Sequence, residues 1–423
     1  MPPETLMPAE SRSPGPAAAA RTAPLLLLTS LYLAQGLPYG FFTQALPVLM
    51  RENGASLKAI SATALLFIPW ALKFLWAPLV DHVGTRRSWI LPIQFVAAIG
   101  AALLALIDPA RGFLAVFAAV FAFNVLAAVQ DVATDGMAVR LLDAQARGLG
   151  NGIQVGAYRI GMVLGGGLLL WVYAKLGWVA MCLGMSALLA LTCVPVLLYR
   201  EASDGAARKA RPPLPVLAAG WLPRLRLPGM LALLALVCAY KFGDAMTSSL
   251  VGPMLKDAHW STEEIAIVKG TLGSIMSLVG AAAGGWLAFR LGRRRALFGC
   301  GIAQALSLLL YVVAAGAPDD RALVWSACIT EHLFGGMATV ALFTLMMDAS
   351  DPEHAGTDYT LLACAVLVAQ GLAAFTAAAI GDAYGYVATF TAALVFSALG
   401  CLLLIAALDR RLGPARLDEV WKR

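Results

Sequence analysis

Residues 77–87 read Ala77-Pro78-Leu79-Val80-Asp81-His82-Val83-Gly84-Thr85-Arg86-Arg87, and residues 285–295 read Gly285-Trp286-Leu287-Ala288-Phe289-Arg290-Leu291-Gly292-Arg293-Arg294-Arg295. In both stretches an apolar segment ends in a glycine that is followed by basic residues. Further matches occur at the same offset of 208 residues: 176–180 with 384–388, Asp143 with Asp351, and Gly148 with Gly356. Several matches at one offset indicate two copies of one unit along the chain.

The composition excludes a water-soluble protein. Of 423 residues, 60% are hydrophobic and only 13% are charged, whereas soluble domains carry about 45–50% apolar and about 25% charged residues. So few charges cannot cover the surfaces of the two or three soluble domains expected at this length. The chain is therefore expected to reside in a lipid bilayer, and soluble enzymes are excluded.

A spanning helix needs about 20 mostly apolar residues, and twelve such segments can be cut from the sequence. The predicted spans 1 to 12 are 24–49, 58–80, 88–107, 113–137, 149–174, 179–199, 228–254, 263–289, 296–316, 322–347, 359–381 and 387–408. The sequence thus predicts an all-α polytopic membrane protein built from two six-helix repeats. The predicted units are a disordered cytoplasmic tail (1–23), an N-terminal six-helix bundle (24–199), a cytoplasmic linker (200–227), a C-terminal six-helix bundle (228–408) and a cytoplasmic tail (409–423).

The distribution of basic residues predicts the orientation. With the N-terminus inside, few Lys and Arg residues fall outside, namely Arg51, Lys58, Arg111, Lys175, Lys256 and Arg321. This bias places both termini in the cytoplasm. The net charge of +6 therefore reflects topology, and no nucleic-acid partner is expected. The seven cysteines lie in apolar stretches without metal-ligand spacing, so neither a metal nor another cofactor is predicted.

The loops at 77–87 and 285–295 together resemble the signature G-x-x-x-D-R-x-G-R-R of the major facilitator superfamily. Ala77 departs from it in the first copy and Phe289 in the second. The resemblance implies two six-helix halves with a solute site between them at the middle of the membrane. The residues predicted to gate the cytoplasmic side here are Asp81, Gly84, Arg86 and Arg87, with the acid pairing to arginines as a latch.

Charged residues inside spans are functional candidates because each is costly in lipid. Asp131 and Asp135 lie one turn apart on one face of span 4. Two interpretations stay open for them: an ion pair with Arg140 or Lys73 at a cytoplasmic gate, or a proton-coupling site. Glu331 in span 10 is the other candidate for proton coupling.

The candidate solute-binding residues lie in spans 1, 5 and 7. Arg159 follows Tyr158 in span 5, and the forked N–H donors of its planar guanidinium group suit a carboxylate. Lys241 and Asp244 in span 7 either bind solute or neutralise each other. In span 1, the dense Pro and Gly residues of 35–40 predict a broken helix that lines a cavity. The polar and aromatic side chains there are assigned to the solute site, and the candidates of that span are Gln35, Tyr39 and Gln44.

Three stretches resemble the AmpG group of major facilitators: 72–81, 130–135 and 147–161. That group includes anhydromuropeptide permeases, acetyl-CoA transporters and siderophore permeases of the RhtX/FptX type. The resemblance implies a bacterial inner-membrane importer. The muropeptide permeases are typically longer by two spans, so the compact length and the opening at 33–42 favour a ferric siderophore. A muropeptide is the alternative, followed by an acyl-CoA-type solute or a drug.

The chain contains no G-x-x-x-x-G-K-[ST] phosphate loop, so ATP is not expected to drive transport directly. The intramembrane acids instead predict a proton gradient as the energy source, and they are Asp131, Asp135, Asp244 and Glu331. The expected mode is symport by a monomer with alternating access. An intramembrane zinc protease is excluded because H-E-x-x-H is missing, and Asp244 has no convincing partner for an aspartyl protease. A receptor without transport activity is the remaining alternative, which solute uptake in vesicles would distinguish.

Overall fold

The computed structural model describes residues 16–52, 62–108, 113–199, 213 and 219–421. Within these ranges the chain is helical and contains no strand. Nine stretches in the described part are long and apolar enough to cross a membrane. Two of those nine each contain two predicted spans, and predicted span 2 is divided into helices too short to count. The nine stretches therefore account for eleven of the twelve predicted spans, the short helices of span 2 account for the twelfth, and the polytopic all-α fold is confirmed.

The helices follow the predicted spans closely. In the N-terminal half they are Pro16–Gly40, Phe41–Ala45 and Leu46–Glu52 (span 1), Ala62–Phe67, Ile68–Leu72, Lys73–Leu75 and Ala77–His82 (span 2), Arg86–Leu104 (span 3), Phe113–Leu141 (span 4), Arg147–Met162 and Val163–Leu168 (span 5, continuing into the next helix), and Leu169–Leu198 (the end of span 5 and all of span 6). In the C-terminal half they are Met230–Asp257 (span 7), Thr262–Ile265, Ala266–Leu272 and Gly273–Leu291 (span 8), Arg293–Gly316 (span 9), Arg321–Ala349 (span 10) and Ala355–Asp409 (spans 11 and 12).

Backbone conformation confirms the repeat. Gly177 and Gly385 both adopt left-handed φ angles, of 84° and 80°, at kinks that separate spans 5 from 6 and 11 from 12. Gly84 and Gly292 adopt φ angles of 71° and 79° before spans 3 and 9. Both pairs are separated by 208 residues. Because only glycine adopts these angles at little cost, the same backbone turns occur at equivalent places in the two halves.

The predicted break in span 1 is wrong. The helix continues through Pro38, and the π-helical turn Phe41–Ala45 follows it. Such a turn rearranges the backbone bonding around Pro38 and Pro47, which have no N–H to donate. The broken helix is instead span 2, where short 3₁₀ and α segments alternate around Pro69 and Pro78.

The predicted tails differ from the structure in part. Residues 1–15 lie outside the described residues, but 16–23 are helical, so the predicted disorder is wrong there. The run 17–20 is alanine, the strongest helix former. Most of the predicted linker 200–227 lies outside the described residues, and its last part forms the linker helix Trp221–Leu225. The C-terminal tail ends in the short helices Ala415–Leu417 and Asp418–Trp421, whose Leu417 and Trp421 side chains are buried.

Small residues allow spans 5 and 8 to meet closely between the two halves. A methyl group at Gly148 would lie 2.9 Å from the carbonyl oxygen of Gly285, and one at Gly152 would lie 3.2 Å from that of Ala281. Because close helix packing in membranes depends on small residues, these glycines set the contact surface between the halves.

Candidate functional site

A charged network lies inside the N-terminal half. Lys73, at the 3₁₀ turn in span 2, forms a buried ion pair with Asp131 of span 4. Asp135, one turn further along span 4, instead accepts hydrogen bonds from neutral groups: Tyr32 at 3.0 Å and the Gln154 amide at 3.3 Å. Of the two alternative partners predicted for these acids, Lys73 is therefore the one that pairs.

The network reaches the other half of the protein through one side chain. Tyr359 of span 11 donates a hydrogen bond of 3.3 Å from its hydroxyl to the Oε1 atom of Gln154. Gln154 therefore contacts Asp135 on one side and the C-terminal half on the other. A change in the protonation of Asp135 would alter a hydrogen-bonded chain that crosses between the halves.

A second charged network lies inside the C-terminal half. Lys241 contacts Asp244 at 2.5 Å and donates to the Thr339 hydroxyl at 3.1 Å. Glu331 pairs with the adjacent His332 at 2.5 Å. A methyl group placed on Gly335 would lie 3.5 Å from a Glu331 oxygen and 3.6 Å from an Asp244 oxygen. The two carboxyl groups therefore face each other across Gly335.

The two networks have one arrangement in common. Each network contains two carboxyl groups and one lysine, and the lysine pairs with one of the two acids. The remaining acid is Asp135 in one half, which accepts hydrogen bonds from neutral groups, and Glu331 in the other, which pairs with His332. Of the three acids predicted to couple protons, Asp131 pairs with the lysine of its network, whereas Asp135 and Glu331 do not.

An aromatic wall lies beside the candidate cationic clamp. Tyr39 packs against Tyr158 with ring centroids 5.4 Å apart, and against Trp70 at 6.1 Å. Arg159, next in the chain after Tyr158, is half-buried and lies within electrostatic range of Glu331 and Asp244 in the other half. A cation of one half is thus within electrostatic range of two acids of the other half, and its neighbour Tyr158 belongs to the aromatic wall.

Two other predicted solute residues lie elsewhere. Gln35 lines a cavity of about 50 Å³ inside the N-terminal bundle, and neither polar atom of its buried amide has a hydrogen-bond partner among the described residues. Gln94 and Asn124 line the same cavity. The Gln44 side chain is exposed and packs against Gly166 in the π-helical part of span 5. The structure therefore groups Tyr39, Tyr158 and Arg159 together and leaves Gln35 and Gln44 apart from them.

The loops after spans 2, 4, 8 and 10 meet at one end of the molecule, which we term the basic face. There Asp81 forms a buried ion pair with Arg86. The same carboxylate accepts hydrogen bonds from the N–H of Gly356 at 3.0 Å, the N–H of Thr357 at 2.7 Å and the Thr357 hydroxyl at 2.6 Å. These three bonds join the N-terminal half to the first turn of span 11, where unpaired N–H groups attract an anion.

A second latch at the basic face is built around Asp348, whose carboxylate is fully buried. It pairs with Arg147 of the N-terminal half at 2.8 Å and with Arg293 of its own half. Arg293 also donates to the carbonyl oxygen of Ala144 in the opposite half. One carboxylate between two arginines thus holds the halves together at this end.

A third latch comes from the linker helix. Arg224 donates two hydrogen bonds, of 2.7 and 2.6 Å, to the buried carboxylate of Asp358 in span 11. Trp221 packs edge-on against Phe74 of span 2, with centroids 5.3 Å apart. Burial disfavours the guanidinium charge, but the bonds to Asp358 outweigh it and raise the pKa of Arg224. The linker helix thus contacts both halves at the basic face.

The predicted gating residues differ in what they join. Arg140 donates to the Pro352 carbonyl oxygen at 2.7 Å, so it bridges the halves through backbone rather than through Asp131 or Asp135. Arg87 donates to the carbonyl oxygens of Val196 and Leu197 and therefore holds spans 3 and 6 together within one half.

Several residues of these networks were not selected from the sequence. They are Tyr32, Gln154, Tyr359 and Thr339 among the neutral partners, and Arg147, Arg224, Arg293, Asp348, Thr357 and Asp358 at the basic face. The sequence alignment of Gly148 with Gly356 identifies the starts of spans 5 and 11, where several of these residues lie. The partners themselves become visible only when the two halves are packed together.

Comparisons with known proteins agree with this architecture. A family model described as the Major Facilitator Superfamily matches residues 28–365. The anhydromuropeptide permease of Escherichia coli K12 is 31% identical over 413 residues, covering 94% of this chain and 82% of the permease. The human organic anion transporter MFSD10 has a TM-score of 0.70 at 14% identity, covering 93% of this chain and 100% of that one. For the transporter FucP in the outward conformation the TM-score is 0.68 at 14% identity, with 93% and 99% covered.

Proposed function

The chain belongs to the major facilitator superfamily, and from that premise we propose that it imports anhydromuropeptides together with protons across a bacterial inner membrane. As a member, it is a multi-pass membrane transporter of small solutes rather than an enzyme. The observation that carries the choice of solute is the 31% identity to an anhydromuropeptide permease across 94% of this chain.

The choice between the two candidate solutes rests on that match. The compact length favours a ferric siderophore, and the chain does span only 82% of the permease. The aligned part nevertheless includes almost all of this chain, both halves and therefore the whole region between them. The identity across both halves favours the muropeptide over the missing length, because a solute is recognised by the residues of the two halves that surround it.

The chemistry of the site suits a muropeptide. Such a solute joins sugar rings to a short peptide with free carboxylates. Arg159 offers a planar fork for a carboxylate, while the apolar ring faces of Tyr39 and Tyr158 offer a surface for a sugar. Asp244 and Glu331 on the opposite half complement the amino groups of a peptide. Binding between these groups would draw the two halves together around the solute.

Proton coupling is supported by the two acids that have no lysine partner. Glu331 lies within electrostatic range of Arg159, the proposed solute clamp, whereas Asp135 connects through Gln154 to the other half. We propose that Glu331 carries the transported proton and that Asp135 transmits its own protonation to the contact between the halves.

The proposed orientation places the basic face in the cytoplasm, as the distribution of Lys and Arg residues favours. The latches around Asp81, Asp348 and Arg224 then close the cytoplasmic side of the path. Import would require these contacts to separate after solute enters from the opposite side.

The solute is tested by uptake into proteoliposomes under an imposed proton gradient, with labelled anhydromuropeptide and labelled ferric siderophore as separate arms. We expect uptake of the muropeptide, abolished by Arg159→Ala and partly retained by Arg159→Lys, which keeps the charge but loses the fork. Uptake of the siderophore alone would refute the proposed solute. Equal muropeptide uptake by both variants and the unmodified protein would refute the clamp.

The proton site is tested with Glu331→Gln, which keeps the shape of the side chain but cannot titrate. We expect the variant to lose accumulation driven by the proton gradient and to retain exchange of labelled for unlabelled muropeptide. Glu264→Gln is the control. Glu264 lies at the start of span 8 and pairs with Arg321, and neither residue belongs to the two charged networks. If Glu331→Gln still accumulates muropeptide as the pH gradient increases, Glu331 is not the proton carrier.

A further inference from the structure

A second pocket lies at the basic face, away from the proposed transport path. It has a volume of about 490 Å³ and is enclosed by the end of span 8, the start of span 9, the end of span 12 and the C-terminal helix Asp418–Trp421. We term it the C-terminal pocket. None of its residues contributes to the networks around Asp131, Glu331 or Asp81.

The C-terminal segment is held in place to form one wall of this pocket. The indole N–H of Trp421 donates to the Asp409 carboxylate at 2.9 Å, and Leu417 and Trp421 are buried. Arg411, which lines the pocket, has a φ of 58°. That left-handed conformation is uncommon for any residue other than glycine and costs energy. The packed tail thus keeps an arginine in an unfavourable backbone conformation at the pocket.

The charges of the pocket favour an anion. Three arginines and two carboxylates line it. Arg294 donates to both oxygens of Asp409 at 2.8 Å, so that carboxylate is already neutralised. The Nε atom of Arg411 lies 4.0 Å from a carboxylate oxygen of Asp418, which is a long ion-pair contact. Arg295 has no hydrogen-bond or ion-pair partner anywhere in the described part of the chain. One full positive charge is therefore available to a ligand.

The start of span 9 adds to this preference. Span 9 runs over 24 residues from Arg293, and Gly292 before it offers no side chain to cap the first N–H groups. The positive end of a helix favours anions such as phosphate. Arg294 and Arg295 belong to this first turn, so side-chain and backbone charges of the same sign lie together at the pocket.

We propose that the C-terminal pocket binds the phosphate headgroup of an anionic phospholipid. The pocket combines arginines with apolar wall residues, including Leu291 and Leu408, at the end of apolar spans. Basic pockets at this level are the sites at which acidic headgroups bind. A free phosphate would match the arginines but would leave the apolar walls without contact. The lipid therefore satisfies both parts of the pocket.

The test is native mass spectrometry of the intact protein extracted from nanodiscs of phosphatidylglycerol or of phosphatidylcholine. We expect retention of phosphatidylglycerol only, reduced about fivefold for each arginine removed in Arg295→Ala and Arg411→Ala. Arg410→Ala is the matched control, because Arg410 is exposed in the same segment but does not line the pocket. Its lipid retention should equal that of the unmodified protein.

The outcomes separate lipid from other sources of phosphate. Equal retention of both lipids, or equal losses in Arg295→Ala and Arg410→Ala, would overturn the proposal. Displacement of the lipid by excess inorganic phosphate would show a site for soluble anions and would also overturn it. Should Arg411→Ala not fold, Arg295→Ala alone decides the question, since Arg295 is exposed and makes no bond within the described chain.

Discussion

Thr357→Ala is expected to weaken the closed basic face without disturbing either half. The Thr357 hydroxyl donates to the Asp81 carboxylate at 2.6 Å, and this bond exists only while the two halves are together. Its loss leaves the Asp81–Arg86 ion pair intact because both of those residues belong to one half. The variant therefore tests the latch rather than the folding of the protein.

The size of the effect follows from the type of bond. A hydrogen bond to a charged group contributes about 1.5–3 kcal/mol net, and about 1.4 kcal/mol is a factor of ten in an equilibrium constant. The population with an open basic face should therefore rise about 10- to 150-fold in Thr357→Ala. Removing the whole Asp81 side chain would have a larger effect, but its cause would be ambiguous, because the buried Arg86 charge would also lose its partner.

Hydrogen exchange measures that population directly. The N–H of Gly356 donates to Asp81 in the closed state and lies in the first turn of span 11, where helices offer no acceptor of their own. Its exchange rate should rise by the same factor as the open population. Thr360→Ala is the matched control, because Thr360 is equally buried in the same helix and its hydroxyl has no partner. Equal Gly356 exchange in the two variants would refute the reasoning.

Two further predictions concern stability in detergent, measured by unfolding of the purified protein. Arg224→Ala should lower the free energy of unfolding by about 3–5 kcal/mol, because the buried carboxylate that it binds loses its cation. Arg226→Ala, close by in the chain, should change it by less than about 0.5 kcal/mol, and equal losses would contradict the third latch. Gly177→Ala and Gly385→Ala should each lose about 1–3 kcal/mol through backbone strain alone, since a methyl group meets nothing within 4 Å at either position. Gly371→Ala has the same open surroundings without the positive φ and should gain up to about 1 kcal/mol; equal effects at all three glycines would exclude strain as the cause.

The fold could be predicted from the sequence because its determinants are local. A spanning helix is recognised by the length of an apolar run, and the repeat by glycines that need one backbone conformation in both halves. The same local information failed at span 2, where Pro69 and Pro78 lie nine residues apart within an apolar run. Composition marks such a run as one span, but each proline removes a backbone bond and lies in the first turn of a new short helix.

The site was predictable only as a set of candidates. The sequence offers Lys73 and Arg140 as partners for Asp131. The separation of 58 positions between Lys73 and Asp131 does not favour one over the other. The sequence does not single out Asp348 and Asp358, because they lie at the ends of predicted spans, where acidic side chains are ordinarily exposed to water. Their burial depends on the packing of one half against the other. Distance along the chain carries no information about that packing, so the latches of the basic face required the structure.

The broken span 2 also has a consequence for biogenesis. Its apolar helical stretch Leu65–Leu75, made of short 3₁₀ and α segments, is too short to cross a membrane alone. It also contains Lys73, a residue that membrane insertion opposes by about 2.5–3.5 kcal/mol. The carboxylate that neutralises this lysine belongs to span 4, which is synthesised later. We therefore expect span 2 to reach its final depth only after span 4 has entered the bilayer, so that the first four spans of the nascent chain are inserted as one dependent group.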